Sequence, residues 1–596
     1  MTTAANHNAG VCNIKEEFII HRTEKNIEII STDNVAKRKL DDENVDCDIK
    51  KAKCNDNSCL GKVKKRGQNK ARPKTYQDDK QNKPCPSIIN VSSKDETKPC
   101  QYANCKFIHN YLEYLKIKKE DIGKECHVFN LRGRCPRGIA CRFGSKHISD
   151  EGYNIVNEEK AKLWLEDTKN TMQSSLQIQL QKRRYDFSLA EKLVKALDDA
   201  RKAKKSDPNY DNKSVSNNDS DTKEKCRGPI TDEDLIKLLP REKKEIDWRD
   251  KLYLSPLTTV GNLPFRRICK SFGADVTCGE MALCESLLKG TKQEWALVKR
   301  HESEDLFGAQ ICGNNPFAIT KVAQLLQENA ELDFIDLNLG CPIDLIYKKG
   351  GGTAMMHRLP ALETSVRGAS SILSIPFTIK MRTGVYQDKK IAHTIVPQMR
   401  EWGASLITLH GRSREARYTK MSDWEYIEMC AKAASPCPLY GNGDILCYDD
   451  YIQRKALAPT VQGVMIGRGA LIKPWIFTEI KEQRLWDISS TERFEIIKKF
   501  TNYGLEHWGS DTQGVENTRR FLLEWLSFLY RYVPVGLLER PPQKINERPP
   551  SYFGRNDLET LMASGNCSDW IKISEMLLGP VPEGFIFLPK HKANSY

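Results

Sequence analysis

Cys126, Cys135, Cys141 and His147 form a C-x8-C-x5-C-x5-H pattern. Three thiolates and one imidazole suit a closed tetrahedral Zn2+ site of the structural kind. Upstream, Cys100, Cys105 and His109 repeat the last three ligands, and Cys85 is the nearest candidate for the first, across an irregular gap. Tyr102, Lys106, Phe107, Phe129, Arg134, Arg137, Arg142 and Phe143 interleave with these ligands. Aromatic faces stack on bases while Arg and Lys meet phosphates; packing over a tiny core is the competing reading for Phe107 and Phe143. Further along, Gln310, Lys380 and His410 stand at or near the ends of apolar runs. Asn442-Gly443-Asp444 and Gly467-Arg468 form glycine-rich turns, and Cys341 sits on a turn between Gly340 and Pro342. Glycine-rich turns let backbone N–H groups close on an anion.

These residues need elements to position them. From about residue 248, eight short apolar runs alternate with helical stretches: 252–257, 274–281, 306–312, 334–339, 377–381, 406–410, 438–441 and 464–467. Near-continuous apolar runs fit parallel strands buried on both faces. Eight such βα units predict a (β/α)8 barrel of α/β class, with its site at the C-terminal ends of the strands. A doubly wound sheet fits less well, because no GxGxxG follows the first strand. After about residue 488 the pattern is helical to the end, and 518–532 is amphipathic and aromatic-rich. The expected organisation is a disordered polar and basic region (1–84), two Cys/His fingers (85–150), a helical segment and charged linker (151–245), the barrel (246–485) and a separate helical domain (486–596).

The 596-residue chain carries a net charge of +14, and residues 51–150 hold 23 Lys+Arg against 10 Asp+Glu. A local excess of that size attracts polyanions, nucleic acid first. The run at 62–74 also reads as a nuclear-import signal. No run of about 18 apolar residues predicts a membrane span, and the N-terminus lacks the features of a secretory signal. The 20 cysteines are therefore read as intracellular thiols that bind metal, act in catalysis or lie buried.

The Cys/His spacing resembles the CCCH zinc finger, whose members bind RNA. The strand-end set (Ser255-Pro256-Leu257-Thr258, Gln310, Asn338-Leu339-Gly340-Cys341-Pro342, Lys380-Met381-Arg382, His410-Gly411-Arg412, Asn442-Gly443-Asp444 and Gly467-Arg468) resembles the tRNA-dihydrouridine synthases. These are FMN-dependent TIM barrels followed by a helical tRNA-binding domain. Two CCCH fingers ahead of the barrel are similar to the eukaryotic type, which acts on U47 of the tRNA variable loop.

The resemblance implies FMN phosphate contacts at Asn442, Gly443, Asp444, Gly467 and Arg468, with the Asp444 backbone N–H rather than its carboxylate making the contact. It implies that Pro256, Leu257 and Thr258 line the flavin, that Gln310 meets its edge, that Lys380 approaches its pyrimidine side, and that His410 holds flavin or phosphate. It implies Cys341 as the proton donor to uracil C5, with FMN delivering hydride to C6 and NADPH or NADH as reductant. An ordinary thiol is mostly protonated at neutral pH, so activity is expected to fall in alkali. A helix N-terminus or the cations Lys380 and Arg382 would lower that pKa. Asn338 and Arg382 are candidates for the flavin or uracil edge. Arg412, Arg414 and Arg417 are expected on a loop gripping phosphates beside the target base. Structural Zn2+ in both fingers, tRNA as partner with mRNA as a further candidate, a monomer, and a location in nucleus or cytoplasm complete the expectation. The alternatives are an RNA-binding protein with a non-catalytic barrel and an FMN barrel reductase of a small pyrimidine.

Overall fold

The structure, a computed structural model, describes residues 10–21, 80–97, 99–205 and 243–590. The run at 62–74 and most of the linker between 201 and 230 lie outside the described residues. Eight strands form the barrel: β1 (Leu252–Leu254), β2 (Thr277–Cys278), β3 (Phe307–Cys312), β4 (Phe334–Leu339), β5 (Phe377–Arg382), β6 (Leu406–His410), β7 (Leu439–Asn442) and β8 (Gly463–Ile466). Each pairs in parallel with its neighbours in chain order, β8 pairs with β1, and a Tyr253–Val276 bridge closes β1 to β2. The second run is shorter than its sequence suggested. β2 stops at Cys278, and Ala282–Leu283 pairs separately with the end of β3.

Side chains alternate along a strand. One set, which includes Ile335, Leu337, Ile379, Met381, Ile407 and Leu409, belongs to the large core shared with the surrounding helices. The other set faces the barrel interior. Phe334, Leu406, Tyr440, Met465 and Tyr253 gather with Trp248 in a second, smaller cluster. Trp248 meets Phe334 edge-on at 5.6 Å and its carbonyl accepts from the Tyr440 hydroxyl at 2.5 Å. Two residues further along the same strands stand Asp336, Thr378, Thr408 and Asn442; two further again stand Asn338, Lys380 and His410. The register pairs Asn338 with Lys380, Arg382 with His410, and His410 with Asn442. An apolar plug thus fills one end of the barrel and polar side chains collect at the other.

The C-terminal helices Ser490–Trp508 and Thr512–Leu529 pack on the barrel through one continuous core rather than as a detached domain. Trp525 donates its indole N–H to Leu471 O and lies 5.5 Å from Phe265. The helix Ser188–Lys205 also packs on the barrel, through buried Ala190 and Val194. No helix among the described residues is long and apolar enough to cross a membrane.

Disorder throughout 1–84 does not hold. Residues 10–21 bridge to the C-terminal region at Val11–Arg548, Ile14–Leu538 and Ile19–Tyr552, and Cys12 and Ile14 are buried there. The apolar residues Val11, Ile14, Phe18, Ile19 and Ile20, around a 3-10 turn at Glu16–Phe18, form a short apolar patch that the polar average of the region conceals. Ile14→Ala should lower unfolding free energy by about 2–5 kcal/mol, the cost of emptying a buried aliphatic site, as read by chemical denaturation; an unchanged midpoint would contradict this packing.

Candidate active site and Cys/His clusters

The polar end of the barrel opens into a cavity of ≈310 Å³. Its wall contains Cys341, Asn338, Gln310, Lys380, Arg382 and His410, together with Pro256, Leu257, Thr258, Asn442, Gly443, Asp444, Gly467 and Arg468. All the residues expected to bind cofactor therefore converge on one space.

A line of hydrogen bonds fixes the cysteine turn. Buried Asp336 accepts from Thr378 at 2.7 Å and from Gln310 Nε2 at 2.7 Å. That leaves Gln310 Oε1 to accept from Asn338 Nδ2 at 2.8 Å. Asn338 Oδ1 then accepts from the backbone N–H of Gly340 (3.0 Å) and Cys341 (2.8 Å). Gln310 thus spends part of the donor and acceptor capacity expected for the flavin edge on this line. Arg382 closes the turn from the other side, donating to Gly340 O and Ser413 O, both at 2.9 Å. Its role is to bind two loops together while also bordering the cavity.

Burial raises the Cys341 thiol above its ordinary value, with Arg382, Lys380 and Arg414 offsetting part of that effect. The influences weighed from sequence all lower this thiol; burial, which was not among them, outweighs them. Cys341 also precedes the short helix Asp344–Lys348 by three residues and does not cap it. Burial and the Arg382 charge lower Lys380 to about 8. Burial, with the charges of Arg382 and Lys380, holds His410 well below 6.5, so its imidazole is neutral at pH 7.

The β7 and β8 turns build the cation-rich wall. Asp444 accepts from Arg412 and Arg468, each at 2.6 Å, and from the Ser422 N–H at 2.7 Å. Its carboxylate is committed to these donors, as expected of a residue that offers only its N–H to an anion. The glycine at 443 is required. It has φ +136°, and a Cβ there would lie 2.3 Å from Ser422 Oγ. His410 Nδ1 and Arg412 Nη1 are buried and have no hydrogen-bond partner among the described residues. Two unsatisfied polar atoms beside an arginine pair are what an anionic ligand would satisfy.

The arginine loop departs from expectation. Arg412 is 2% exposed and belongs to the Asp444 network, so it does not grip RNA. Arg414 pairs with Asp344 at 2.5 Å and lies over the Tyr347 ring, tying its loop to the cysteine loop. Arg417 is exposed at the rim. Sequence reasoning missed Tyr418, which lies edge-on to His410 at 6.2 Å with Arg468 over its ring at 4.2 Å. An aromatic within a run of arginines was the available signal. It also missed Phe528, Ile545 and Lys590, which reach the cavity wall from the C-terminal region and carry no local motif.

Both Cys/His sets close into clusters, with one ligand atom from each residue and all within 4.8 Å of one another. Cys85 joins the first, 3.7 Å from Cys100 and 3.9 Å from Cys105. In the second, His147 directs Nδ1 to Asn154 Oδ1 at 3.3 Å, while its buried Nε2 has no hydrogen-bond partner among the described residues. An imidazole oriented through one nitrogen, with the other left to the thiolates, is the arrangement of a metal ligand.

Fold and site together define a parallel (β/α)8 barrel with a cation-lined mouth and a turn-borne thiol. The family model described as "Dihydrouridine synthase (Dus)" matches residues 253–527. A Xenopus tropicalis protein named tRNA-dihydrouridine(47) synthase [NAD(P)(+)]-like is 56% identical over 543 residues, covering 90% of this chain and 84% of that one. Homo sapiens and Arabidopsis thaliana proteins of the same name are 54% and 42% identical, covering 89% and 86% of this chain and 84% and 85% of theirs. The chain belongs to the dihydrouridine synthase family.

In cofactor-free protein, alkylation of Cys341 should be slow near neutral pH and still be rising with pH at the ordinary thiol value of 9.0, levelling off only above it, because its raised pKa delays the thiolate. Peptide mass mapping reads this, and full reactivity at neutral pH would contradict it.

Proposed function

We propose that this protein reduces uridine in tRNA, at position 47, to 5,6-dihydrouridine, with FMN in the barrel mouth and NADPH or NADH as electron source. The observation that carries the reading is the Cys341 turn, pinned by Asn338 at the same cavity as Lys380 and His410, in a chain whose relatives bear that name.

The cavity fits the cofactor. Asn442, Gly443, the Asp444 N–H, Gly467 and Arg468 would hold the phosphate, joined by Arg412 through its unpartnered Nη1. Pro256, Leu257 and Thr258 would line the ring system, Gln310 would use its remaining amide capacity at the ring edge, and Lys380 would face its pyrimidine side. When bound, FMN supplies hydride from N5 to uracil C6. Cys341 Sγ–H gives its proton to C5 from the opposite face, and the raised pKa keeps that proton in place at neutral pH. Asn338 and Arg382 hold the turn so that the thiol meets the base. Exposed Arg417 remains the arginine available for phosphates beside a flipped nucleotide. Zn2+ fills both Cys/His clusters. The protein works as a monomer in nucleus or cytoplasm, with mRNA as a further candidate substrate.

Cys341→Ala should retain bound FMN and NADPH oxidation while lowering dihydrouridine formation by about 10²–10⁴-fold, the usual worth of a positioned acid. Nucleoside analysis of treated tRNA measures it; an unchanged yield would overturn the assignment.

A further inference from the structure

The two Cys/His clusters sit in different surroundings. In the second, Cys126, Cys135, Cys141 and His147 are all buried. Cys126, Val128, Cys135, Cys141 and Phe143 belong to the same apolar core as the barrel and the C-terminal helices. Cys141 forms an antiparallel bridge with Asp511, and the Arg142 N–H donates to Ser510 O at 2.8 Å. His127 meets Glu506 at 2.7 Å, and the other oxygen of Glu506 meets Arg267 at 2.6 Å. Arg267 lies on Leu263–Ser271, the barrel helix that follows the Pro256–Thr258 loop. Glu506, on Ser490–Trp508, therefore joins cluster, bundle and barrel in one contact.

The aromatic rings and arginines of this second cluster are already engaged. Phe129 stacks on His147 at 5.2 Å and Phe143 is 8% exposed, so the packing alternative holds for Phe143. The arginine side chains are held by protein partners: Arg132 with Asp167, Arg134 with Asn90, Arg137 with Trp508 O, and Arg142 with Glu120 O.

The first cluster is the reverse. Residues 101–104 are exposed, and Tyr102 is 76% exposed. Lys106 is exposed and makes no hydrogen bond or ion pair among the described residues. A solvent-facing ring four residues from an unengaged ammonium offers one base-stacking face and one phosphate contact, the combination that single-stranded nucleic acid takes.

The geometry points to a division of labour. The second cluster is a structural clasp that fastens the C-terminal bundle to the barrel, and the first is the finger that grips a single-stranded stretch of RNA through Tyr102 and Lys106. This rests on the zinc and tRNA reading above. The full-length protein carrying Cys105→Ser should lose one zinc per chain, keep its melting temperature and bind tRNA on the order of tenfold more weakly. Cys141→Ser should also lose one zinc, but melt several degrees lower and release FMN. If Cys141→Ser does not fold, Glu506→Gln, which leaves every metal ligand in place, should still lower the melting temperature with tRNA affinity of the folded protein unchanged. Tyr102→Ala and Lys106→Ala should each weaken tRNA binding without moving the melting temperature.

Equal melting shifts in the two cysteine variants would overturn the division. So would unaltered tRNA affinity in both Tyr102→Ala and Lys106→Ala. A wild-type protein that binds tRNA but leaves its uridine unreduced would instead defeat the proposed function and leave these comparisons readable. A wild-type protein without zinc would defeat the metal reading.

Discussion

The period of two along a β-strand is the constraint from which the site follows. In β4, β5 and β6 every second side chain must point into the barrel. Because the strands are parallel, steps of two residues lead along each strand from one end of the barrel to the other. At one end the inward side chains are aromatic and aliphatic around Trp248. Asp336 and Thr378 follow, and Asn338, Lys380 and His410 reach the cavity at the other end. A plug at one end leaves the other as the only place where inward-facing polar groups can meet a ligand. Thus Asn338, Lys380 and His410, far apart in sequence, share one cavity wall.

Charge at that wall is arranged around two buried carboxylates with different tasks. Asp444 aligns Arg412 and Arg468 beside the glycine turns. Breaking such a buried pairing costs about 3–5 kcal/mol, so the cations are held firmly in place ahead of any ligand. Asp336 works through amides. It sets which end of Gln310 faces Asn338, and so fixes the turn that carries Cys341. The thiol is then governed mainly by burial, which keeps it protonated despite the neighbouring cations.

Much of this was legible in the sequence. β4 and β6 were bounded to the residue, because turn residues flank a near-continuous apolar run. The cavity wall was legible because strand ends are where barrel sites form. What failed depended on partners remote in the chain. Arg412 read as a loop cation gripping phosphates because its counter-charge, Asp444, lies 32 residues away. Residues 10–21 read as disordered because their apolar patch only becomes buried against residues near 538–552. For the second cluster, ligand spacing carries no information about its contacts with Glu506 and Ser510.

The central claim is that Cys341 protonates C5 from the face opposite the hydride. Reducing tRNA uridine in D2O with NADPH deuterated at its transferred hydride, and determining the relative configuration of the label at C5 and C6 by NMR of the isolated dihydrouridine, tests it directly. The account predicts addition to opposite faces, lost with Cys341→Ala. Addition to the same face, or the same stereochemistry and yield without the thiol, would contradict it.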